Sequence, residues 1–181
     1  MKINKTLIED LLIIEPQLFK DERGFFYESY NKKYLDEFIS VVFVQENESK
    51  SNKGVVRGLH FQIPPFEQNK LVRCVSGNIL DVTVDLRKNS KTYGKFFSIE
   101  LSSENNKQLF VPKGFAHGFQ VLSESAIISY KVDNYYNPKS ESGIIWNDKD
   151  LSIDWNLDLK PILSKKDLKL NSFKDLKSPF K

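Results

Sequence analysis

A chain of 181 residues with 40% hydrophobic and 28% charged residues has the composition of one soluble globular domain, which we expect to span residues 1–181. Its 27 basic and 24 acidic residues leave a net charge of only +3, so nucleic-acid binding is not expected. The single cysteine, Cys74, excludes an intramolecular disulfide, and no apolar segment is long enough to span a membrane. We therefore expect a cytoplasmic protein without a membrane partner, in which Cys74 is a buried, inert thiol.

Short runs of Val, Ile, Phe and Tyr, separated by Gly, Pro, Asn and Ser, recur along most of the chain. A helix is predicted first, over 31–39, because Tyr34, Leu35 and Phe38 share one side. The predicted strands follow at 41–45, 55–62, 71–75, 79–86, 96–101, 108–111, 118–122 and 126–132. A second helix is predicted over 164–170, where Ser164 is a suitable N-cap. The chain is thus mostly β, typical of a sandwich or barrel, with short helical segments.

The two histidines lie in distinctive segments, His60 in GVVRGLHFQ (54–62) and His117 in VPKGFAHGF (111–119). A lone histidine in a β-rich region is more often a hydrogen-bonded core residue than a catalyst, so position alone leaves both roles open. The two segments together resemble the first and second motifs of the cupin superfamily. This resemblance implies a cupin-type double-stranded β-helix, or jelly-roll, barrel with short N-terminal and C-terminal helical segments.

The resemblance to cupins departs from the metal-binding pattern. Metal-binding members carry a His-x-His pair in the first motif, and Gln62 stands at the position of the second histidine. His60 and His117, with Glu67 as a speculative third ligand, make a poor set for a transition metal, which takes three or four N, O or S ligands. We therefore expect no metal and no cofactor, and a metal-dependent cupin is the distant alternative.

Several separate segments resemble the dTDP-4-dehydrorhamnose 3,5-epimerase family, and the resemblance runs from about residue 12 to 167. The segments are DERGFFYESY (21–30), VRGLHFQ (56–62), KLVR (70–73), 81–87, 112–119 and IIWND (144–148). The resemblance implies inversion of C3 and C5 of dTDP-4-keto-6-deoxy-D-glucose to give dTDP-4-keto-L-rhamnose. Other possibilities are inversion at C3 alone, or action on another nucleotide-linked 4-keto sugar, such as a GDP-linked heptose, for surface polysaccharide synthesis. A third is a binding protein that has lost catalysis.

Epimerisation beside a C4 ketone needs a base, a group that stabilises the enolate oxygen, and an acid on the opposite face of the sugar ring. The resemblance implies that His60 is the base, that Asp167 fixes its tautomer and that Tyr130 is the acid. The residues themselves leave other possibilities open. Ser164-x-x-Asp167 is also a capping-box pattern, and a buried tyrosine is commonly structural.

The same resemblance implies that Lys70 stabilises the enolate oxygen, together with a second buried pair formed by His117 and Asp81. Strand alternation places Lys70 on one face with Val72 and Cys74, which favours an inward direction. Asp81 lies on the polar face of its predicted strand, and in an ordinary barrel such a face points to solvent.

The nucleotide of the expected substrate requires cationic groups for a diphosphate and aromatic groups for a base. Strict alternation puts Arg57 and His60 on opposite faces, so Arg57 reaches the same pocket only through a bulge or the strand's end. The resemblance also implies that the segment around Arg23 reaches a neighbouring subunit's pocket, hence a homodimer that exchanges N-terminal segments. The residues assigned to substrate binding are Arg23, Phe26, Glu28, Gln45, Asn47, Arg57, Tyr136 and Glu141.

Overall fold

The computed structural model describes residues 1–155, 157 and 160–181, and most of its regular structure is antiparallel β-sheet. A six-stranded sheet contains, in spatial order, β1 (Lys2–Lys5), β2 (Leu12–Glu15), β10 (Gln108–Val111), β7 (Lys70–Ser76), β12 (Ser125–Val132) and β5 (Gln45–Asn52). A five-stranded sheet contains β13 (Glu141–Gly143), β6 (Val56–Gln62), β11 (Phe115–Val121), β8 (Asn78–Asp85) and β9 (Phe96–Ser102). A separate hairpin is formed by β3 (Phe19–Asp21) and β4 (Gly24–Phe26). No helix in the described part of the chain has the length and hydrophobicity needed to cross a membrane.

The main core lies between the two sheets, because alternate apolar side chains of each sheet point toward the other. Val72 and Ile128 of the six-stranded sheet belong to one buried cluster with Ile79 and Phe119 of the five-stranded sheet. Cys74 is buried in the same cluster, as the sequence predicted.

A second apolar cluster covers the other face of the five-stranded sheet. It joins Val82 and Val84 of β8 to Trp155 and Phe180 from the C-terminal part of the chain. β8 is consequently buried on both faces, and its polar side chains, Asp81 among them, point to the interior. The polar face of β8 therefore points inward, as the expected buried pair of Asp81 and His117 requires, and C-terminal apolar residues cover the opposite face.

The predicted helices are much shorter in the structure. The helix predicted over 31–39 is reduced to α1 (Lys32–Leu35), whose N-cap Asn31 accepts a hydrogen bond from the Lys33 amide at 3.1 Å. The one predicted over 164–170 is only a 3₁₀ helix, Asp167–Lys169. Short helices need an apolar face packed against the protein, and α1 buries only Leu35.

The predicted strand at 41–45 is wrong, because pairing starts at Gln45 and continues through β5. β5 has the sequence QENESKSN, which contains no apolar residue and therefore gives no hydrophobic alternation. The short strands β1 to β4 and β13 were also not predicted. The other seven predicted strands are confirmed, with ends that differ by three residues or fewer.

A β-bulge in β6 changes the direction of Arg57. His117 of β11 pairs with His60, yet Phe119, two residues further, pairs with Arg57, so β6 contains one extra residue. The bulge depends on close backbone contact. A Cβ atom at Gly58 would lie 2.6 Å from the Gly118 Cα, and Gly58 has a φ of +120°. Arg57 and His60 therefore line one cavity, through the bulge that was one of the two routes expected from the sequence.

We predict that Gly58→Ala lowers the free energy of unfolding by at least about 2 kcal/mol more than Gly24→Ala, because only Gly58 faces a backbone contact that a methyl group would violate. Gly24 is the matched control, since its φ of +128° is similar and its Cβ would meet no atom within 4 Å. Urea denaturation of both variants measures the difference. Equal losses would show that backbone strain alone matters at Gly58.

Candidate active site

A cavity of about 160 Å³ opens between the two sheets and brings together four of the six predicted catalytic residues. His60 comes from β6, Lys70 from β7, His117 from β11 and Tyr130 from β12. Arg57 lines the same cavity. A larger cavity, of about 550 Å³, lies beside the N-terminal loop and contains none of the predicted site residues.

Asp167 lies against His60 although the two residues are far apart in sequence. The His60 Nε2 is 2.6 Å from the Asp167 Oδ1, and the carboxylate side chain is only 3% exposed. Burial raises the pKa of Asp167, but hydrogen bonding to His60 and the His60 charge outweigh it and leave that pKa below its ordinary value. A carboxylate that accepts the Nε2 hydrogen leaves the lone pair on Nδ1, the atom available as a base.

Asp167 makes a second local contact, with Ser164. The Asp167 amide donates a hydrogen bond to the Ser164 hydroxyl at 3.0 Å. This interaction uses the backbone of Asp167, whereas the contact with His60 uses the side chain. The 3₁₀ helix that begins at Asp167 has Lys166 as its N-cap and no side-chain cap bond, so of the two alternatives left open by the sequence the structure contains the contact with His60.

Lys70 projects to the interior from the start of β7. It shares a face with Val72 and Cys74, which are both part of the core between the sheets. Burial lowers the pKa of Lys70 to about 8, although the negative charges of Asp81 and Glu141 act in the opposite direction. An ammonium group is thus held in a poorly solvated place, where it interacts strongly with a developing negative charge.

Asp81 and His117 form a second, deeper pair. The His117 Nε2 lies 3.0 Å and 2.9 Å from the two carboxylate oxygens of Asp81. In the β8–β11 register Asp81 pairs with Phe119 and Thr83 with His117, so the two side chains are diagonal neighbours on the inner face. The Asp81 side chain is fully buried and that of His117 is 9% exposed.

Tyr130 faces the cavity from β12, directly opposite Asn47 of β5. Burial raises the pKa of Tyr130 above its ordinary value, while a hydrogen bond with Asn47 and the positive charge of Arg57 partly oppose the increase. The hydroxyl is consequently protonated at neutral pH. That is the state a proton donor requires.

A network of polar side chains forms the rim beside Tyr130. The Gln45 amide donates to the Asn47 Oδ1 at 2.8 Å, and the Tyr136 hydroxyl donates to the Glu141 Oε2 at 2.6 Å. Lys166 forms an ion pair with the same Glu141 carboxylate. Lys166 was not predicted, although it immediately precedes Asp167.

Three predicted substrate-binding residues lie away from this cavity in their own chain. Arg23 sits in the β3–β4 hairpin, paired with Asp21, and its side chain is 85% exposed. Phe26 is also exposed, and Glu28 accepts a hydrogen bond from Asn31 at 3.0 Å. Within one chain the structure does not bring these residues to His60.

Sequence reasoning missed two serines on the inner face of β5. Ser49 lines the cavity, and Ser51 accepts a hydrogen bond from the Arg57 Nε at 3.0 Å. Because β5 is polar on both faces, hydrophobic patterning could not reveal it. All eight residues of β5 are polar, so no pattern in the sequence distinguished its inner face from its outer face.

The side chain of Gln62, at the position where metal-binding cupins have a histidine, forms hydrogen bonds with backbone groups. Its amide nitrogen donates to the Phe66 carbonyl at 2.6 Å and to the Tyr135 carbonyl at 3.2 Å, and its oxygen accepts from the Asn137 amide. Across residues 1–155, 157 and 160–181, no group of three or more His, Cys, Asp or Glu side chains could hold a metal ion.

Comparisons with known proteins give consistent results over nearly the whole chain. A family model described as dTDP-4-dehydrorhamnose 3,5-epimerase matches residues 5–175. The chain is 52% identical over 177 residues to the dTDP-4-dehydrorhamnose 3,5-epimerase of Shigella flexneri, and the match covers 97% of each. It resembles the crystal structure of the Elizabethkingia anophelis enzyme of that name with a TM-score of 0.93, 54% identity and 98% of both chains covered. It also resembles a dTDP-6-deoxy-D-glucose-3,5-epimerase from Legionella pneumophila in complex with dTDP-4-keto-L-rhamnose. That match has a TM-score of 0.93 and 46% identity, and covers 97% of this chain and 94% of the other.

We predict that Lys70→Met raises the free energy of unfolding at pH 7 by about 2–3 kcal/mol, because it removes a partly buried, poorly solvated positive charge. The folded-state pKa of about 8 is below the ordinary 10.5, so the lysine destabilises the fold fully below pH 8. The penalty disappears as the pH rises from 8 to 10.5, where the stabilities of wild type and variant should converge. Denaturation at several pH values measures this, with Lys50→Met, on the exposed face of β5, as control. If the free energies of unfolding of wild type and variant differed by the same amount at every pH, the prediction would be contradicted.

Proposed function

Because the chain belongs to the dTDP-4-dehydrorhamnose 3,5-epimerase family, we propose that it inverts C3 and C5 of dTDP-4-keto-6-deoxy-D-glucose to give dTDP-4-keto-L-rhamnose. The chain is an isomerase. The observation that carries the assignment of residues is the meeting of His60, Lys70, His117 and Tyr130 in one cavity, with Asp167 2.6 Å from His60.

Proton removal is assigned to His60. Its Nδ1 lone pair takes the proton from the carbon beside the C4 ketone, and the electrons of the broken C–H bond form an enolate. The resulting imidazolium is stabilised by Asp167, whose pKa lies below its ordinary value and which is therefore an anion at neutral pH. The short contact with Asp167 also keeps the ring in one orientation, which supports this role.

Stabilisation of the negative charge on the enolate oxygen is assigned to Lys70 and His117. Lys70 is held in a poorly solvated interior position, and a hydrogen-bonded or charged donor there contributes about 3–4 kcal/mol to the stabilisation of an oxyanion. His117 is oriented by the buried Asp81 carboxylate. Both residues line the cavity beside His60, which supports their action on the same intermediate.

Proton return is assigned to Tyr130. Inversion requires that the new C–H bond form on the opposite face of the ring, with the hydroxyl proton moving to carbon and solvent then restoring the phenol. His60 belongs to the five-stranded sheet and Tyr130 to the six-stranded sheet. Donor and base on opposite walls of one cavity suit this geometry.

Binding of the nucleotide part of the substrate is assigned to the mouth of the cavity. Arg57 offers a planar, charged fork for the diphosphate, and the rim side chains Gln45, Asn47, Tyr136 and Glu141 surround the place for the nucleoside. We also infer that the two stacked antiparallel sheets form the cupin-type jelly roll, in which such a cavity lies between the sheets.

A homodimer completes the proposed site. The β3–β4 hairpin exposes Phe19, Phe25 and Phe26, which is unusual for a hairpin that stays in solvent. Exchange of this hairpin would bury those rings and carry Arg23, Phe26 and Glu28 to the other subunit's cavity. The exposure of Arg23 in its own chain supports this exchange.

We predict that the wild-type protein incubated with dTDP-4-keto-6-deoxy-D-glucose in deuterium oxide, with a chelator present, gives a product carrying one deuteron at C3 and one at C5. His60→Ala should lower kcat by about 10³–10⁴ and abolish exchange at both centres, since the base is removed. Mass spectrometry of the sugar nucleotide measures both.

Tyr130→Phe provides the companion variant in the same assay. It should retain exchange without inversion, because deprotonation by His60 persists while the donor on the opposite face is lost. Full activity of Tyr130→Phe would contradict its assignment as the acid. One deuteron in the wild-type product would identify inversion at a single centre, and none would contradict the proposed reaction.

We predict that mixing inactive Arg23→Ala and His60→Ala subunits restores activity, because a mixed dimer with exchanged hairpins contains one site with both residues intact. At equal amounts, with random reassociation after mild denaturation, activity should reach roughly a quarter of the wild-type value. Each variant alone, treated in the same way, is the control. No recovery in samples shown to contain mixed dimers would mean that Arg23 serves its own subunit.

A further inference from the structure

Ser51 occupies a buried position that connects the two sheets at the mouth of the cavity. It lies on the inner face of β5, at the edge of the six-stranded sheet, and is only 5% exposed. Its hydroxyl accepts a hydrogen bond from the Nε of Arg57, which belongs to β6 in the other sheet, at 3.0 Å. The contact thus joins the two sheets beside the opening.

The atom that Ser51 contacts determines which part of the Arg57 guanidinium remains for a ligand. A guanidinium carries five N–H donors in a rigid plane, one on Nε and two on each terminal nitrogen. The serine takes the Nε hydrogen and so leaves the terminal nitrogens for an acceptor. Arg57 is exposed and lines the cavity, so its terminal nitrogens are the donors available to a diphosphate bound there.

We propose that Ser51 is a positioning residue that holds Arg57 in the orientation that binds the diphosphate of the substrate. Arginine has several rotatable bonds, and an exposed arginine without a neighbour samples many rotamers that binding must then restrict. A buried hydroxyl on a β-strand removes that freedom before the ligand arrives. The inference rests on the proposed function, since it presupposes that Arg57 meets the diphosphate.

A purely structural role makes a different prediction. Ser51 and Arg57 flank the connection between β5 and β6, and their hydrogen bond could serve only to hold this connection. In that case, loss of the hydroxyl would reduce stability, and it would not weaken the binding of ligands with phosphates more than the binding of ligands without them. A positioning role affects only ligands that use the guanidinium.

The experiment measures the affinity of the full-length protein for dTDP and for thymidine by calorimetry. Ser51→Ala should weaken dTDP binding about tenfold, leave thymidine binding unchanged, and raise KM for the sugar nucleotide while kcat changes little. Ser51→Thr keeps the hydroxyl and should restore most of the dTDP affinity. The control is Ser129→Ala, because Ser129 is also buried and its hydroxyl holds a charged side chain, Glu46, at 2.7 Å, outside the cavity.

A double-mutant cycle with Arg57→Ala separates the possible outcomes. In that background Ser51→Ala should have no further effect on dTDP affinity, because the group it positions is absent. An equal loss of dTDP affinity in both backgrounds, or equal weakening of dTDP and thymidine, overturns the inference. If the wild type binds dTDP and Ser51→Ala does not change that affinity, the inference is overturned while the proposed function stands. Failure of the wild type to bind dTDP overturns both.

Discussion

The close contact between the backbones of Gly58 and Gly118 is the constraint on which the geometry of the site depends. It permits the bulge in β6, and the bulge turns Arg57 into the cavity that His60 also faces. Any side chain at these two glycines would push β6 and β11 apart, because a Cβ atom at either position would lie within 2.6 Å of a backbone atom. Without the bulge, alternation would direct Arg57 and His60 to opposite faces of the sheet.

Burial of the five-stranded sheet on both faces determines the chemistry of the interior. C-terminal apolar side chains, with Trp155 and Phe180 among them, cover the outer face, so the polar side chains of β8 lie inside. Desolvation there acts differently on each group. It lowers the pKa of Lys70 to about 8, which still leaves the amine mostly protonated at pH 7, and it raises the pKa of Tyr130, which keeps the phenol neutral.

The C-terminal part of the chain links stability to the site. It covers the sheet with apolar residues, and it also supplies Asp167 to His60 and Lys166 to Glu141. Parallel bridges from Val55 to Ile162 and from Ile144 to Asn171 join residues 162–171 of this part to the rest of the chain. Loss of its packing would therefore remove the partner of His60 as well as expose the core.

The predominance of β-structure and most central strands can be predicted from the sequence, because apolar alternation directly reflects burial between two sheets. Resemblance to a known family also singled out His60, Lys70, His117 and Tyr130, which meet in one cavity. The path of β5, whose two polar faces carry no hydrophobic signal, and the contact of Ser51 with Arg57 are visible only in the folded chain. The folded chain also shows that Asp81 points inward and that the Asp167 side chain meets His60 while its amide donates to Ser164. These features depend on what covers each face and on contacts between distant segments, which local patterns do not encode.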